Sequence, residues 1–418
     1  MRQVIYILFT LNCITLLAQE IYTPFDKNYI DHKSTLSVSA DYFFNSNAIT
    51  SEFVNTFYKS GNITSKMKDG VSSNLILENR LGAELNYSVY YRYKPDTLSK
   101  NSKIGFFTSL KNRNHVDARF SNDLFKLGFY GNKQFAGEIA DLTNFNLNLY
   151  QYQQFQLGVT KKINNGEVTY GLGLSMLNGQ QYQSIHAKKA ELYTALDGQY
   201  IDFNSNIIYK RSDTASSRLG STNGTGFSID VYADIPYMTK ENRAERMTIE
   251  LRDIGMIWWN GNSETAKVDS IHHYEGVSID NIFQLNSSSF GNTNTDSVLN
   301  KNVKFSPGKI TTTLPAVFHF NSLSTVGKWQ FSKGIRFIFN ANNKFNIYFI
   351  VNRYLTPKLM VSLGLAYGGY SLFNTNTGFA IDFGKGFMLR AYSNNIEGFI
   401  VPRLATGQGA ALSLTKSF

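Results

Sequence analysis

The chain has 418 residues, 42% hydrophobic, 14% aromatic and 17% charged, with 41 Lys and Arg against 31 Asp and Glu for a formal charge of +10. Ordinary soluble proteins carry about 25% charged residues, so a cytosolic globule is disfavoured; a mean hydropathy of -0.24 and the lack of a run of roughly 20 apolar residues after residue 18 exclude a bundle of membrane helices. Thirty-two Phe, 25 Tyr and 3 Trp are too much apolar bulk for a disordered chain, and the seven Pro mark no linker, so a single all-β unit is expected.

Arg2 precedes an apolar run from Val4 to Leu17, too short to cross a bilayer, and Ala18 supplies a small residue at the cut. Residues 1–19 therefore read as a secretory signal peptide, cleaved after Ala18 or Gln19, with residues 20–418 as the barrel. The only cysteine, Cys13, lies inside the signal, and Asn12 before it lacks the small side chain of a lipoprotein signal. On this reading the mature chain has no disulfide, thiolate metal site or thiol nucleophile.

Period-two alternation begins with Leu36, Val38, Ala40, Tyr42 and Phe44 against Thr35, Ser37, Ser39 and Asp41. It recurs with Ala83 to Tyr93, with Val168 to Met176 and with Leu359 to Tyr367, each set against small or polar neighbours. Such alternation suits either a soluble sandwich or a membrane barrel. Runs of about ten residues favour the barrel, since that length crosses the hydrocarbon layer at a tilt. Trp258, Trp259, Trp329, Tyr354 and Tyr370 fall at run ends, where an aromatic girdle belongs.

The runs place strands at 35–44, 83–94, 103–111, 146–161, 167–177, 225–235, 246–257, 310–320, 329–340, 344–354, 358–370, 376–384, 386–394 and 408–418. The expected fold is a single antiparallel transmembrane β-barrel of about 14 strands with short helices in its loops. Both ends would be periplasmic, with short turns such as Asn164, Asn165, Gly166 and Thr356, Pro357, and long outer segments at 45–82, 178–224 and 258–309. Asn47 is positioned to cap a helix carrying Ile49, Phe53, Val54 and Phe57, ended by Gly61, and Ser121 or Asn122 to cap Leu124 to Phe129 before Gly131. The apolar sides of these helices would rest on the lumen mouth or on a partner. Tyr182 to Tyr193 and Tyr200 to Lys210 read as a projecting hairpin.

Leu314 and Pro315 opening the eighth strand, a turn at Asp253, Ile254 and Gly255 with Trp258 beyond it, and the closing strands resemble a Bacteroidota outer-membrane barrel family of unknown function. That family is similar to long-chain fatty-acid transporter barrels and to barrels accompanying type IX secretion. The terminal strand, ending on Phe418, resembles those read by the barrel assembly machinery. The resemblance implies a setting of outer-membrane lipid and lipopolysaccharide, a secretion-system or surface protein as a possible partner, and no catalytic residues. About fifteen residues before the first strand are too few for the hatch of fatty-acid transporters.

Residues 301–418 hold 13 Lys and Arg against Asp382 and Glu397. Parity turns Glu84, Asp230, Glu250, Arg252, Arg336, Asp382 and Arg390 into the lumen, either as an ion-pair lattice or as a basic wall that attracts anions. Lys333 has lipid parity, by snorkelling or through a bulge. His272 and His273 are adjacent and face opposite sides of a strand, so no metal site is expected. His115 and Asp117 share a face, but no nucleophile accompanies them, so a barrel hydrolase is the most remote reading, behind polar positions near a strand rim. No cofactor and no nucleic-acid module is indicated. The expected function is a passive channel or transporter for hydrophobic or small solutes, with an accessory or docking barrel as the alternative.

Overall fold

The computed structural model describes residues 33–93, 103–163, 168–215, 220–238, 244–275 and 304–418. The expected signal peptide and the Asn164, Asn165, Gly166 turn lie outside these residues. Nineteen strands are described, numbered along the chain. β1 (Ser34–Ser46), β2 (Asn79–Tyr93) and β3 (Lys103–Phe120) precede a short β4 (Ile139–Asp141), then β5 (Asn146–Ile163), the 27-residue β6 (Val168–Thr194) and β7 (Tyr200–Arg211). β8 (Gly224–Met238), β9 (Ala244–Trp259), β10 (Glu264–Glu275), β11 (Phe305–Pro307) and β12 (Ile310–Thr313) follow. The last seven are β13 (Val317–Val326), β14 (Trp329–Ile338), β15 (Asn346–Thr356), β16 (Leu359–Gly368), β17 (Phe373–Gly384), β18 (Phe387–Asn394) and β19 (Gly407–Ser417).

Fourteen of them form a closed antiparallel barrel, β1 to β3, β5, β6, β8, β9 and β13 to β19. Closure is direct, with Val38 of β1 opposite Val89 of β2 on one side and Leu414 of β19 on the other, so no stave is left with an unpaired edge. The start of β1 and the end of β19 meet where the Phe418 N–H donates to the Ser34 carbonyl at 2.9 Å. At this end the turns are tight; Lys385 and Gly386 both have positive φ (52° and 78°), the conformation that matches a two-residue hairpin to strand twist.

Outside, the wall is apolar. Leu172, Leu174, Phe349, Leu363 and Leu365 are exposed large hydrophobics along successive outward positions, and such a band is stable only against an apolar solvent. Trp258 and Trp329 face outward at strand ends, but Trp259 and Tyr370 are buried inside and Tyr354 lines the interior. The girdle expected from sequence is thus partly an interior feature. Lys333 keeps its outward face with no register shift beside it, which leaves snorkelling as the account.

The eighth stave is split. Leu314 donates its N–H to Gly255, and Pro315, which has no N–H to give the ladder, separates β12 from β13. Asp253 is not in a turn. It has φ 58° inside β9, where Ile229 and Val231 pair with Ile254 and Leu251, so β9 carries a bulge there.

At the other end β6 runs past the barrel and pairs with β7, which pairs with β10, so the projecting hairpin is part of a larger sheet. Helix α1 (Ser51–Tyr58) is capped by Thr50 rather than Asn47, whose side chain instead accepts the Arg80 N–H. Helix α2 (Ser65–Ser72) is capped by Thr64, and α3 (Asn122–Tyr130) by Ser121, ending at Gly131 with φ 81°. A single turn, α4 (Glu397–Ile400), precedes β19. Phe53 of α1 and Phe125 of α3 join one cluster with Phe44, Tyr42, Leu81 and Ala83. Those four wall residues share the outward parity of Val38 and Val89, so the helices rest on the barrel's own outer face rather than on the lumen mouth.

Candidate functional site in the barrel interior

Inward positions of β2, β3, β5, β8 and β9 are polar and closely spaced, and many of them pair with one another. His115 lies 3.3 Å from Glu84 and 3.1 Å from Asp117, buried inside the barrel rather than at a strand rim. Asp117 also accepts the Asn342 N–H at 2.8 Å, from the β14–β15 loop across the lumen. Arg113 pairs with Asp253 at 2.9 Å, and Gln154 donates to the other Asp253 oxygen at 3.0 Å. Asp230 accepts from the Asp253 N–H, Gln156 and the Tyr232 hydroxyl at 2.7, 2.7 and 2.8 Å. A buried carboxylate is stable only with such partners.

Parity alone misses Asp253, because it is odd-numbered like the outward Ile249. The bulge reverses the faces: beyond it Ile254 and Trp258 point out while Ile257 and Trp259 are buried inside. The shift of apolar parity between Ile249, Leu251 and Ile254, Met256, Trp258 is the sequence signal that marks it. Arg113, Gln154 and Gln156 were legible only as inward polar positions; their partners come from strands distant in sequence.

The other half of the interior is open. A cavity of 870 Å³ extends along β13 to β18, reaching the turn residues Pro357, Lys358 and Gly386 at the end where β1 begins and β19 ends. Phe43, Val317, Ile338 and Tyr370 pack together across its far end. The Tyr370 ring reaches the opposite wall, where a Cβ on Gly82 would lie 2.3 Å from it; only glycine leaves that space. Glu250, Arg252, Arg336, Asp382 and Arg390 all line the cavity. Glu84 and Asp230 belong to the packed half, and Arg336 approaches Glu84 at 3.9 Å between the two.

The cavity wall is not basic. Arg246, Arg252, Arg336, Lys358 and Arg390 are matched by Asp234, Glu245, Glu250 and Asp382, and Arg246 pairs with Asp234 while Arg252 lies 3.5 Å from Glu250. Between these groups, amide, hydroxyl and phenol side chains alternate with apolar ones such as Leu323, Ile350, Met360 and Met388. Tyr348 and Ser332 donate to Asn321 at 2.9 and 2.6 Å, Ser362 to Asn352 at 2.6 Å and Tyr392 to Asn376 at 2.5 Å. This wall can hydrogen-bond a neutral polar solute, and its apolar patches are bordered by charged groups of both signs.

His272 bonds Ser270, and His273 sits between Asp202 and Glu275 on the outer sheet; among the described residues no group of three or more His, Cys, Asp or Glu is placed to hold a metal ion.

A family model described as a family of unknown function, DUF5723, matches residues 31–388. The chain belongs to that family. Among solved structures, the monoaromatic hydrocarbon channel TodX in a deltaS2S3 mutant form is similar at 8% identity over 94% of this chain and 92% of that one, with a TM-score of 0.50. A deltaS2 mutant of the same channel gives 9%, 93%, 91% and 0.46, and a Pseudomonas aeruginosa FadL homologue 9%, 94%, 91% and 0.42. At such identities the first likeness speaks for the fold alone, that of an outer-membrane β-barrel. No curated protein sequence matches the chain.

Proposed function

We propose that the protein is an outer-membrane channel for small polar solutes, closed on its outer side in the described state. The carrying observation is the 870 Å³ cavity, into which charged groups of both signs and many Asn, Ser and Tyr side chains project and which reaches the turns that would face the periplasm. An apolar solute is disfavoured because it would desolvate the charged groups that line the cavity without offering them a hydrogen bond. The closure is one aromatic-aliphatic cluster, and Tyr370 follows two glycines with positive φ, Gly368 and Gly369. Liposome swelling tests the reading: Tyr370→Ala should admit arabinose faster than the wild type, with no comparable gain for toluene. Unchanged arabinose entry, or a gain for toluene alone, would refute it.

A second reading, docking of a secretion or surface-assembly partner, is supported by the outer segment around α4. Phe399, Ile400 and Leu404 are exposed there.

A further inference from the structure

Of the positive charge in residues 301–418, Arg336 and Arg390 lie inside the barrel and Lys358 borders the cavity, which carries both signs. Five cations gather around the end where β1 begins and β19 ends, Lys358 among them. Lys328, Lys358 and Lys385 occupy the tips of three successive turns, between β13 and β14, β15 and β16, and β17 and β18. Two further cations stand on the outward face just above those turns. The Arg353 guanidinium lies 4.7 Å from the centre of the Trp329 ring, its cross-strand neighbour. The Lys416 ammonium lies 4.2 Å from the Phe387 ring and 5.4 Å from the Phe418 ring.

Acidic side chains are scarce on this arc. Of the two in residues 301–418, Asp382 lines the cavity and accepts the Gly384 N–H at 2.7 Å, and Glu397 is in α4 at the opposite end.

We propose that this rim binds anionic phospholipid headgroups of the inner leaflet, the phosphodiester being the recognised group. Arg353 and Lys416 share the outward parity of Phe349 and Leu414, so they continue the lipid-facing band and do not line the lumen. Their ring partners sit where an aromatic girdle meets the headgroups, and long cationic side chains there bury their stems on the rings and extend their charges to the phosphate level. A soluble acidic partner would meet the turn tips, whereas the cations over Trp329, Phe387 and Phe418 stand on the outward, lipid-facing parity of their strands. Each cation near an anionic surface contributes on the order of fivefold in partitioning.

The test uses the full protein, purified in micelles containing equal phosphatidylglycerol and phosphatidylethanolamine, with retained lipids counted by native mass spectrometry. Wild type should keep phosphatidylglycerol in preference. The double variant Arg353→Gln, Lys416→Gln should lose that preference by roughly tenfold or more, while Arg353→Lys with Lys416→Arg keeps it and Lys59→Gln, at the helical end, changes nothing. Heat-modifiable gel migration confirms that each variant is a folded barrel. Equal retention of the two lipids by wild type, or an unchanged preference in the double Gln variant, overturns the proposal. So does binding of a poly-glutamate peptide that phosphatidylglycerol fails to displace and the double Gln variant loses.

Discussion

Leu363 and Ser362 are neighbours in the middle of β16, and the barrel assigns them to different solvents. Leu363 is 65% exposed on the outward band, opposite Val351 and Thr377, whereas Ser362 lines the 870 Å³ cavity and donates to Asn352. An arginine at a lipid-facing midplane position costs ~2 to 4 kcal/mol, a factor of roughly 30 to 1,000 in the folding equilibrium. In the cavity an arginine keeps water and has room, so Ser362→Arg loses about one hydrogen bond, ~0.5 to 1.5 kcal/mol. Urea-titrated folding into lipid vesicles, read by the faster gel migration of the unheated barrel, measures both. The expected order is Leu363→Arg far below Ser362→Arg, which stays near wild type. Equal damage from the two substitutions, or the reverse order, would refute the assignment of faces and with it the cavity.

Removing Phe418, which is exposed on the outward face and bonded through its main chain to Ser34, should lower assembled barrel well below the level left by Ser417→Ala, as read in outer-membrane fractions. Arg113→Met leaves the Asp253 carboxylate buried without its cation and should cost about 3 to 5 kcal/mol, part of which Arg113→Met with Asp253→Asn restores, in the same urea titration. Gly158→Ala places a methyl carbon 2.0 Å from the Phe107 ring and should destabilise by ~1 to 3 kcal/mol, whereas Gly261→Ala, with nothing within 4 Å, should not. On the outer sheet, hydrogen bonds to Asp202 and then to Glu275 raise the His273 imidazole above its ordinary 6.5. Because the folded value is the higher one, this pairing contributes fully below about 6.5 and is lost as pH rises through the folded value. An NMR titration should show His273 above 6.5 in wild type and moved down in Asp202→Asn; a wild-type value at 6.5 would contradict the pairing.

The sequence by itself determined the barrel. Alternation is a local property, because each strand must place every second side chain against lipid, so the fourteen staves and the face of Leu363 or Arg336 are written residue by residue. Ser121 before Leu124 and Gly131 after Tyr130 likewise carried α3 in local capping chemistry. Tertiary structure decided what alternation does not encode. The bulge at Asp253 depends on a pairing with β8 and reverses the faces of Asp253 to Trp259, so a rule of strict parity fails there. That Trp259 stacks on Tyr182 at 5.6 Å inside the barrel, and that Tyr370 crosses the lumen to Gly82, depends on strands more than seventy residues apart meeting in space. The helices looked like candidates for a lumen mouth or a partner because amphipathic spacing names an apolar side without naming what covers it. Only closure of the barrel set Phe44 and Leu81 beneath Phe53. The division of the interior into a packed ionic half and an open polar half has the same origin. Charges such as Glu84 and Arg336 are inward by parity, but which of them are close enough to pair is fixed by the distance across a closed wall.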